Sequence, residues 1–292
     1  MRESPADQAE AFDQHRKLVF SIAYRMLGSV SDAEDMVQEA FLRWRNVSGD
    51  EVRSRKAYLS AVVTRLCIDR LRASKTRREE YVGPWLPEPL LTEPDGADAV
   101  TLDESLSMAF LVLLESLTPT QRAVFLMREV FGYGYPEISH IVGKSEDNCR
   151  QMARRAREAV SARRPRFESS RKQEERLAQR FVEACSDGDM QGLLALLSED
   201  IMLYSDGGGR VHAALNPIHG SEKVSRFLLG ILGKTPPGFS TGMAWINGHP
   251  GIIGYAYGQP MSAVALEAAE GRIQAIRIVV NPDKLQAIPP LS

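Results

Sequence analysis

The chain has 292 residues, enough for two or three domains, and 43% of them are hydrophobic, as in a globular protein. No stretch approaches the roughly 20 apolar residues of a membrane-spanning helix. Because the start MRESPADQAEAFDQ is polar and acidic, we do not expect it to be a secretory signal. Cys67, Cys149 and Cys185 have no metal-ligand spacing, so we expect reduced thiols in a cytoplasmic protein without a metal or other cofactor.

The net charge of −2 conceals a separation of charge along the chain. Residues 53–78 carry nine basic side chains against Asp69 alone, and residues 150–166 carry seven arginines against Glu158 alone. Between them, residues 79–104 carry eight acidic side chains and no basic one. Two basic patches flanking an acidic segment indicate a two-point contact with a polyanion. The alternative is a set of ordinary solvated faces, which three blocks of alternating sign disfavour.

Residues 8–78 predict a small helical domain. Apolar residues recur with helical period from Phe12 to Leu27, and Ser31 and Glu34 form a capping box, so we expect Ser31 to cap a second helix. The outer face of that helix carries Asp32, Asp35, Gln38 and Glu39. A negative stripe cannot face DNA, so it is either plain solvent surface or a docking site for a basic partner. A third, longer helix is apolar on one side and basic on the rest.

Residues 79–104 predict a linker, because four prolines exclude a continuous helix. The stretch Trp85–Leu91 within it is apolar, however. A free tether would not expose a tryptophan and three leucines to water. We therefore expect this stretch to dock on another part of the protein.

Residues 105–166 predict a second helical domain that ends in a helix-turn-helix. Thr118, Pro119 and Gln121 form a capping box with proline in the first turn. A helix with an apolar face ends at Gly143, and Ser145 is the expected N-cap of the next helix. That helix presents Arg150, Gln151, Arg154 and Arg155. Arginine binds guanine and glutamine binds adenine from a helix in the major groove. The alternative is a basic helix hairpin that binds nothing.

Residues 173–292 predict helices followed by several antiparallel strands, which is an α+β roll with a pocket. A first strand is expected over Asp200–Asp206, where a glycine turn follows. Asp206, His212 and His219 are candidate general bases for a catalytic pocket. Each lies near a turn or loop, so we favour a ligand-sensing or regulatory module over an enzyme.

The whole sequence resembles the extracytoplasmic-function sigma factors of bacteria, in the subgroup with a fused C-terminal SnoaL-like domain. LVFSIAYRMLGSVSDAEDMVQEAFLRWR and KAYLSAVVTRLCIDRLRASKTRR are similar to sigma region 2. LTPTQRAVFLMREVFGYGYPEISHIVGKSEDNCRQMARRAR is similar to sigma region 4. WLPEPL, DGGGR and NPDKL resemble further signatures of the subgroup. The subgroup usually has lysine at Arg210, and the family more often has Ser, Glu or Asp at Pro136.

The resemblance implies two all-α sigma domains, a SnoaL-type α+β roll, and a non-enzymatic protein that directs core RNA polymerase to promoters. Core polymerase, through its β′ clamp helices and β flap, and promoter DNA are the implied partners. The implied contacts with core polymerase are Asp32, Asp35, Gln38 and Glu39. The implied contacts with the −10 element are Arg53, Arg55, Lys56, Arg65, Arg70, Arg72 and Lys75. The implied contacts with the −35 element are Arg150, Gln151, Arg154 and Arg155.

The fused roll is expected to regulate the sigma domains. The expected regulatory contacts are Trp85, Leu86, Pro87, Asp206, Arg210, Asn281, Pro282, Asp283, Lys284 and Leu285. Lys284 is expected to face the acidic linker, and the pocket is expected to take an unidentified small ligand. The alternative function is a DNA-binding regulator fused to a small-molecule-binding or isomerase-like or cyclase-like domain.

Overall fold

The structure is a computed structural model that describes residues 5–47, 52, 54–74, 80–93, 105–161 and 170–291. The chain divides into two compact units. One comprises residues 1–79 and 111–164, and the other comprises residues 80–110 and 165–292. Two residues predicted to contact DNA, Arg53 and Lys75, lie outside the described residues.

The first unit begins with α1 (Pro5–Leu27), α2 (Val30–Arg45) and α3 (Arg55–Ala73), which pack against one another. The predicted cap of α2 is wrong by two residues, since the side chain of Ser29 accepts the amide hydrogen of Asp32. Gly28 has φ +66°, which turns the chain early enough to place Ser29 at the cap.

The second half of this unit is also helical, and it contains α5 (Pro119–Phe125), α6 (Tyr135–Val142) and α7 (Glu146–Ser161). A short helix, α4 (Met108–Leu114), precedes α5, and a π-helical turn over Leu126–Val130 follows it. The predicted capping box of α5 and the turn at Gly143, with φ +65°, are both present. Residues 135–161 therefore form the predicted helix-turn-helix.

The two helical halves share one core, because α3 packs against α5 and α6 as well as against α1 and α2. The buried side chains on the two sides are Val19, Ile22, Trp44, Leu59, Val63, Leu114, Val124, Leu126, Ile138 and Ala156. Each large aliphatic side chain removed from water contributes about 1.5–3 kcal/mol. The sequence predicts two separate helical domains, and their packing into one unit is a finding of the structure.

The second unit is built on a six-stranded sheet in the order β2-β1-β6-β5-β4-β3. The strands are β1 (Leu197–Asp206), β2 (Ile218–His219), β3 (Ser240–Ile246), β4 (His249–Ala256), β5 (Gln259–Ala269) and β6 (Arg272–Val279). Strands β3 to β6 form an antiparallel meander. The several antiparallel strands that the sequence predicts are present, and one further pairing, between β1 and β6, is parallel. The last strand of the meander, β6, lies beside β1, and these two strands run in the same direction.

Helices α8 (Arg171–Asp187), α9 (Met190–Leu196) and α10 (Ser221–Leu232) pack on one face of this sheet. Their shared core contains Phe181, Leu193, Leu203, Leu228 and Ile276. The predicted α+β roll is therefore confirmed. A 3₁₀ turn over Pro282–Lys284 follows β6. Residues 80–110, treated above as linker and as the start of the second helical domain, belong to this unit.

Candidate DNA-binding face and linker-docking site

The outward face of α7 carries the side chains predicted to contact the −35 element. Gln151, Arg154 and Arg155 are exposed, while Ala153 and Ala156 on the opposite face are buried. Among the described residues, Arg154 forms a loose ion pair with Glu158, at 3.8 Å. Two guanidinium groups and one side-chain amide thus project from the same face of one helix. Readout of bases in the major groove uses hydrogen-bonding groups of these kinds.

Arg150, at the start of the same helix, is paired with two carboxylates. Its guanidinium contacts Glu146 and Asp147, each at 2.8 Å, and lies 5.2 Å from the centre of the Tyr135 ring. At the end of the exposed face, Arg157 bonds Glu129 at 2.6 Å, and this bond raises its pKa. Arg150 must exchange these carboxylates for a base or phosphate before it can contact DNA.

The acidic stripe on α2 is present, and its members differ in their partners. Asp35 and Gln38 are exposed. Glu39 accepts a hydrogen bond from Arg43 at 3.0 Å. Asp32 is partly buried and forms an ion pair with Arg70 of α3, which raises the pKa of Arg70 mainly through the side-chain hydrogen bond. Thus Asp32 and Arg70, predicted to bind different partners, neutralise each other here.

The basic face of α3 holds the remaining residues predicted to contact the −10 element. Lys56 is exposed and its ammonium lies 6.0 Å from the centre of the Tyr133 ring. Arg72 is exposed beside Asp69, at 3.4 Å. Arg55 is half-buried at the start of the helix. This face is therefore basic and accessible at both ends of the helix, and Arg65 is exposed between them.

Arg65 joins α3 to the helix-turn-helix. Its guanidinium donates to the carbonyl oxygens of His140, at 2.7 Å, and Ile141, at 2.9 Å. These carbonyls belong to the last turn of α6, where they lack helical partners and carry the negative end of the helix dipole. A residue predicted to contact DNA thus caps a neighbouring helix, and no feature of the sequence signals that contact.

Two further polar contacts cross the same boundary. The hydroxyl of Tyr133 hydrogen-bonds to the hydroxyl of Ser60 at 2.7 Å. The buried guanidinium of Arg122 donates to the carbonyl oxygens of Met26 and Leu114, both at 2.8 Å. Buried arginines are stable only when most of their donors are satisfied. These contacts join the first three helices to the helices that follow, in an arrangement that we call the closed packing.

Within the second unit, Asp206 at the end of β1 is the centre of a linker-docking site. Its side chain is fully buried. One carboxylate oxygen accepts the Tyr81 hydroxyl at 2.6 Å, and the other accepts the Leu86 amide and the Lys284 ammonium, each at 2.7 Å. Burial and the bond to Asp206 raise the pKa of Tyr81. The carboxylate thus joins both ends of residues 81–86 to the roll.

Lys284 is the basic counterpart in this site and is also buried. Besides Asp206, it donates to the carbonyl oxygen of Leu86. Its ammonium lies 4.4 Å from the centre of the Trp85 ring and 4.8 Å from that of Tyr81, within cation–π range. Lys284 therefore lies against the linker segment, where it contacts two aromatic rings and a carbonyl oxygen. It also forms an ion pair with Asp206 of the roll at 2.7 Å.

The glycines of the DGGGR sequence allow the linker to approach. Gly208 has φ +57°, and a Cβ there would lie 2.2 Å from Nδ2 of Asn281 and 2.9 Å from the Tyr81 hydroxyl. Any side chain would therefore displace both groups. On the outside, Nε of Arg210 donates to Asp283 at 3.1 Å, which links DGGGR to NPDKL. Nδ2 of Asn281 donates to the Tyr81 hydroxyl at 3.0 Å.

The second half of the docked segment lies along the β3–β4 hairpin. The side chain of Asn247 accepts the Leu90 amide at 3.1 Å and donates to the carbonyl oxygen of Leu106 at 2.9 Å. The Thr92 amide donates to the carbonyl oxygen of Trp245 at 2.9 Å. Leu86 and Pro87 are buried. The expected docking of the apolar stretch is confirmed, whereas Tyr81 and Asn247 were missed because neither lies in a recognisable pattern.

Pro282 and Leu285 complete the docking site from the C-terminal side. Pro282 opens the 3₁₀ turn, whose first amide hydrogens are accepted by Asn281, and Leu285 is buried after it. We call Asp206–Arg210 and Asn281–Leu285 together the linker seat. All ten predicted regulatory residues therefore lie in the seat or in the segment docked on it.

The three candidate general bases do not meet in one site. Asp206 points to the linker, whereas its neighbour Ser205 lines a cavity of about 690 Å³ inside the roll. His212 also lines that cavity. His219 lies on β2, 3.9 Å from Asp200, and is not among the residues that line it. In the described part of the chain, no group of three or more His, Cys, Asp or Glu side chains is placed to hold a metal ion.

Comparison with known protein families identifies the class. A Sigma-70 region 2 family matches residues 11–77, which include most of α1 and all of α2 and α3. A Sigma-70 region 4 family matches residues 107–160, which include the helix-turn-helix. These are the two regions that the charge pattern and the outward face of α7 single out, and together they define a sigma factor.

The chain belongs to the extracytoplasmic-function (ECF) RNA polymerase sigma factors. It is 35% identical to the ECF RNA polymerase sigma factor SigJ of Mycobacterium tuberculosis over 297 residues, covering 97% of this chain and 94% of the relative. It is 30% identical to "Probable ECF RNA polymerase sigma factor SigI" of the same organism, covering 95% and 94%. The crystal structure of SigJ matches with a TM-score of 0.74 at 34% identity, covering 96% of this chain and 97% of SigJ.

Membership in this family establishes the activity of the protein. As an ECF sigma factor, the protein partners core RNA polymerase and promoter DNA and directs promoter-specific transcription initiation. The family is not a family of enzymes. Among the described helices, none is both long and apolar enough to span a membrane.

Proposed function

We propose that α7 reads the −35 element and α3 contacts the −10 element, with the acidic stripe of α2 on core polymerase. The observation that carries this assignment is the outward face of α7, where Gln151, Arg154 and Arg155 are exposed over a buried apolar face. Asp35 and Gln38 are the members of the acidic stripe that are exposed. The proposed site of action is the cytoplasm, where the polymerase and its promoters are.

The remaining assignments depend on exchange of partners. Asp32 and Arg70 are paired with each other, and Glu39 is paired with Arg43. The Glu39–Arg43 pair is the more exposed of the two, and exposed pairs contribute only about 0–1 kcal/mol, so a surface of core polymerase can replace it. The partly buried Asp32–Arg70 pair must exchange both partners, Asp32 for core polymerase and Arg70 for a phosphate. The proposed functional divisions are region 2 over residues 8–78, a linker over 79–104, region 4 over 105–166 and the roll over 173–292.

We propose that the closed packing must open before both promoter elements are bound. By their positions, the −35 and −10 elements are centred about 25 base pairs apart, roughly 85 Å at 3.4 Å per base pair. Packed helices have axes about 8–10 Å apart, and α3 packs directly on α6 through Arg65. One arrangement cannot satisfy both distances, so the closed packing is a state of the protein without promoter.

The docked linker offers the roll control over this opening. The segment from Tyr81 to Thr92 lies between the two sigma regions in sequence and is held by the roll at both ends. Its release adds up to about 40 Å of extended chain between the regions. A ligand or partner that favours one state of the linker therefore changes how far the regions can separate.

We propose that the roll restrains the sigma regions and does not catalyse a reaction. The carboxylate of Asp206 is fully engaged with Tyr81, Leu86 and Lys284, so it is not available as a general base. None of the residues that line the cavity, all of them in the described part, is an Asp or Glu. In the part of the chain that the structure describes, His212 has no carboxylate partner of the kind that commonly orients a general base.

Run-off transcription with core polymerase tests this proposal. The full chain is compared with a variant that lacks residues 281–292, which removes Lys284 and Asn281 from the linker seat. We expect unchanged co-elution with core polymerase and increased transcript. Unchanged transcript from a variant whose roll remains folded would contradict the regulatory role, and the sigma activity itself would stand.

A further inference from the structure

The roll encloses a cavity that its proposed regulatory role does not explain. Its volume is about 690 Å³. Small-molecule sites in proteins are mostly apolar clefts of about 300–1,000 Å³ with a few polar groups. The cavity lies between α8, α10 and the sheet, and its apolar walls include Phe181, Phe227, Leu228, Phe239 and Val264. It therefore has the size and the composition of a ligand site.

The polar lining of the cavity consists mainly of hydroxyl groups. The polar lining residues are Ser186, Ser205, His212, Lys234, Thr235, Ser240, Thr241 and Ser262. The lining residues are all described, and they include two basic side chains and no acidic one. A cationic ligand would lose its hydration and find no counter-charge among the lining residues, which is costly. An uncharged or anionic head group would meet hydrogen-bond donors there.

Exposed apolar side chains form part of the rim of the cavity, beside the exposed polar residues Ser186, His212, Lys234, Ser240 and Thr241. Ile231 at the end of α10 is 38% exposed, and Met261 at the start of β5 is 43% exposed. Both line the cavity. Exposed apolar side chains that continue into an apolar cavity form a path by which an apolar molecule enters from solvent.

The walls of the cavity and the linker seat are made by the same segments. On β1, Ser205 faces the cavity and the next residue, Asp206, holds the linker, as expected from the alternation of side chains along a strand. After β6, Val280 lines the cavity and Asn281 binds Tyr81.

The glycine loop after β1 has the same double role. His212, Ala213 and Ala214 line the cavity, while Leu215 lies 3.8 Å from the position a Cβ on Gly83 of the linker would take. Ordering this loop from the cavity side therefore also orders part of the surface that meets the linker.

We propose that the roll is a receptor for a mainly apolar, non-cationic small molecule, and that a bound ligand strengthens docking of the linker. The ligand and the linker both order the end of β1, the glycine loop after it and the residues after β6. The protein therefore loses less conformational entropy when the second of the two binds. Coupling of this kind is reciprocal. The coupling rests on the proposed regulatory role of the linker, whereas the receptor site does not.

The ligand class is tested by competition on the purified full chain. The probe is 1-anilinonaphthalene-8-sulfonate, whose fluorescence rises in apolar sites. The competitors are decanol, decanoate and decyltrimethylammonium below their micelle concentrations, which share one chain length and differ in head group. We expect decanol and decanoate to displace the probe and the cation to do so at least tenfold more weakly. Equal displacement by the cation, or no displacement by any of the three, would overturn the assignment.

Two tryptophan substitutions locate the site. Ile231→Trp should block the entrance and weaken probe and decanol binding at least tenfold. Met243→Trp is the matched control, because Met243 is 50% exposed and does not line the cavity. Should Ile231→Trp fail to fold, Met261→Trp tests the same entrance from β5. Equal binding by the entrance and control variants would place the probe elsewhere and refute the proposed site.

The coupling is tested by hydrogen exchange with and without saturating decanol. The Leu86 amide bonds to Asp206, and the Leu90 amide bonds to Asn247, so both report docking directly. We expect exchange of both to slow at least fivefold when decanol is bound. Unchanged or faster exchange would overturn the coupling. None of these three experiments involves transcription. If they fail, the proposed restraint of the sigma regions still stands, and if the transcription test of that restraint fails, the proposed receptor site still stands.

Discussion

Replacing Lys284 with Met should release the linker from its seat. The substitution keeps an unbranched apolar stem of about the same length and removes the ammonium. Asp206 would keep the Tyr81 hydroxyl and the Leu86 amide but would remain a fully buried carboxylate without a cation. Removing one partner of a buried pair costs about 3–5 kcal/mol. The cation–π contacts with Trp85 and Tyr81 are lost as well.

The expected result is a weaker docked state rather than an unfolded roll. A cost of about 3 kcal/mol corresponds to more than 100-fold faster exchange of the Leu86 amide, if exchange proceeds through undocking. Hydrogen exchange followed by mass spectrometry or NMR measures this directly. Lys223→Met is the matched control, since Lys223 is exposed on α10 in the same unit and lies outside the seat.

A double variant separates the ion pair from the other contacts. Asp206→Asn together with Lys284→Met removes both charges, so the uncompensated carboxylate disappears. We expect the double variant to hold the linker at least 1 kcal/mol better than the sum of the single effects predicts. Strictly additive effects, or no acceleration of exchange in Lys284→Met, would refute the view that this pair fixes the linker.

Three further predictions concern the sigma regions and the cavity. Arg154→Ala should weaken binding at one or two −35 positions by roughly 1–3 kcal/mol, whereas equal loss on all −35 variants would make Arg154 a phosphate contact; fluorescence anisotropy with the core complex measures both. Arg65→Met removes the two hydrogen bonds to the last turn of α6. At this exposed site we expect a loss of about 1 kcal/mol of stability and severalfold faster exchange of the α6 amides, whereas the control Arg72→Met should have no effect. Burial raises the pKa of Cys185 to about 12, so its alkylation by iodoacetamide at pH 8 should be at least 100-fold slower than that of a free thiol and should rise about tenfold per pH unit to pH 11; a plateau below pH 10 would contradict the burial.

The sequence predicts the elements of this protein well because local signals specify them. The capping box at Thr118, the turn at Gly143 and the basic residues of α7 each act over a few residues. The docking of Trp85–Leu91 was predicted from physical chemistry alone, since exposed apolar side chains in a tether require a partner.

What the sequence does not predict are contacts between distant segments. The bond from Arg65 to the α6 carbonyls spans 75 residues, and a solvated arginine on a basic helix gives no sign of it. Asp206 was considered as a catalytic base because the side of the strand it faces depends on the register of β1 with β6. The cap at Ser29 was missed for a local reason, because two serines compete within three residues and only the turn at Gly28 selects one.

The most direct test of the account is run-off transcription with purified core polymerase. The templates are the DNA fragments that the complex of chain and core selects from a random-sequence library. We predict transcripts with one fixed start on these templates only when chain and core are both present, and loss of those transcripts when the shared −35 sequence is changed. A chain that does not co-elute with core polymerase, and that binds DNA alone as tightly as in the presence of core, would contradict the account.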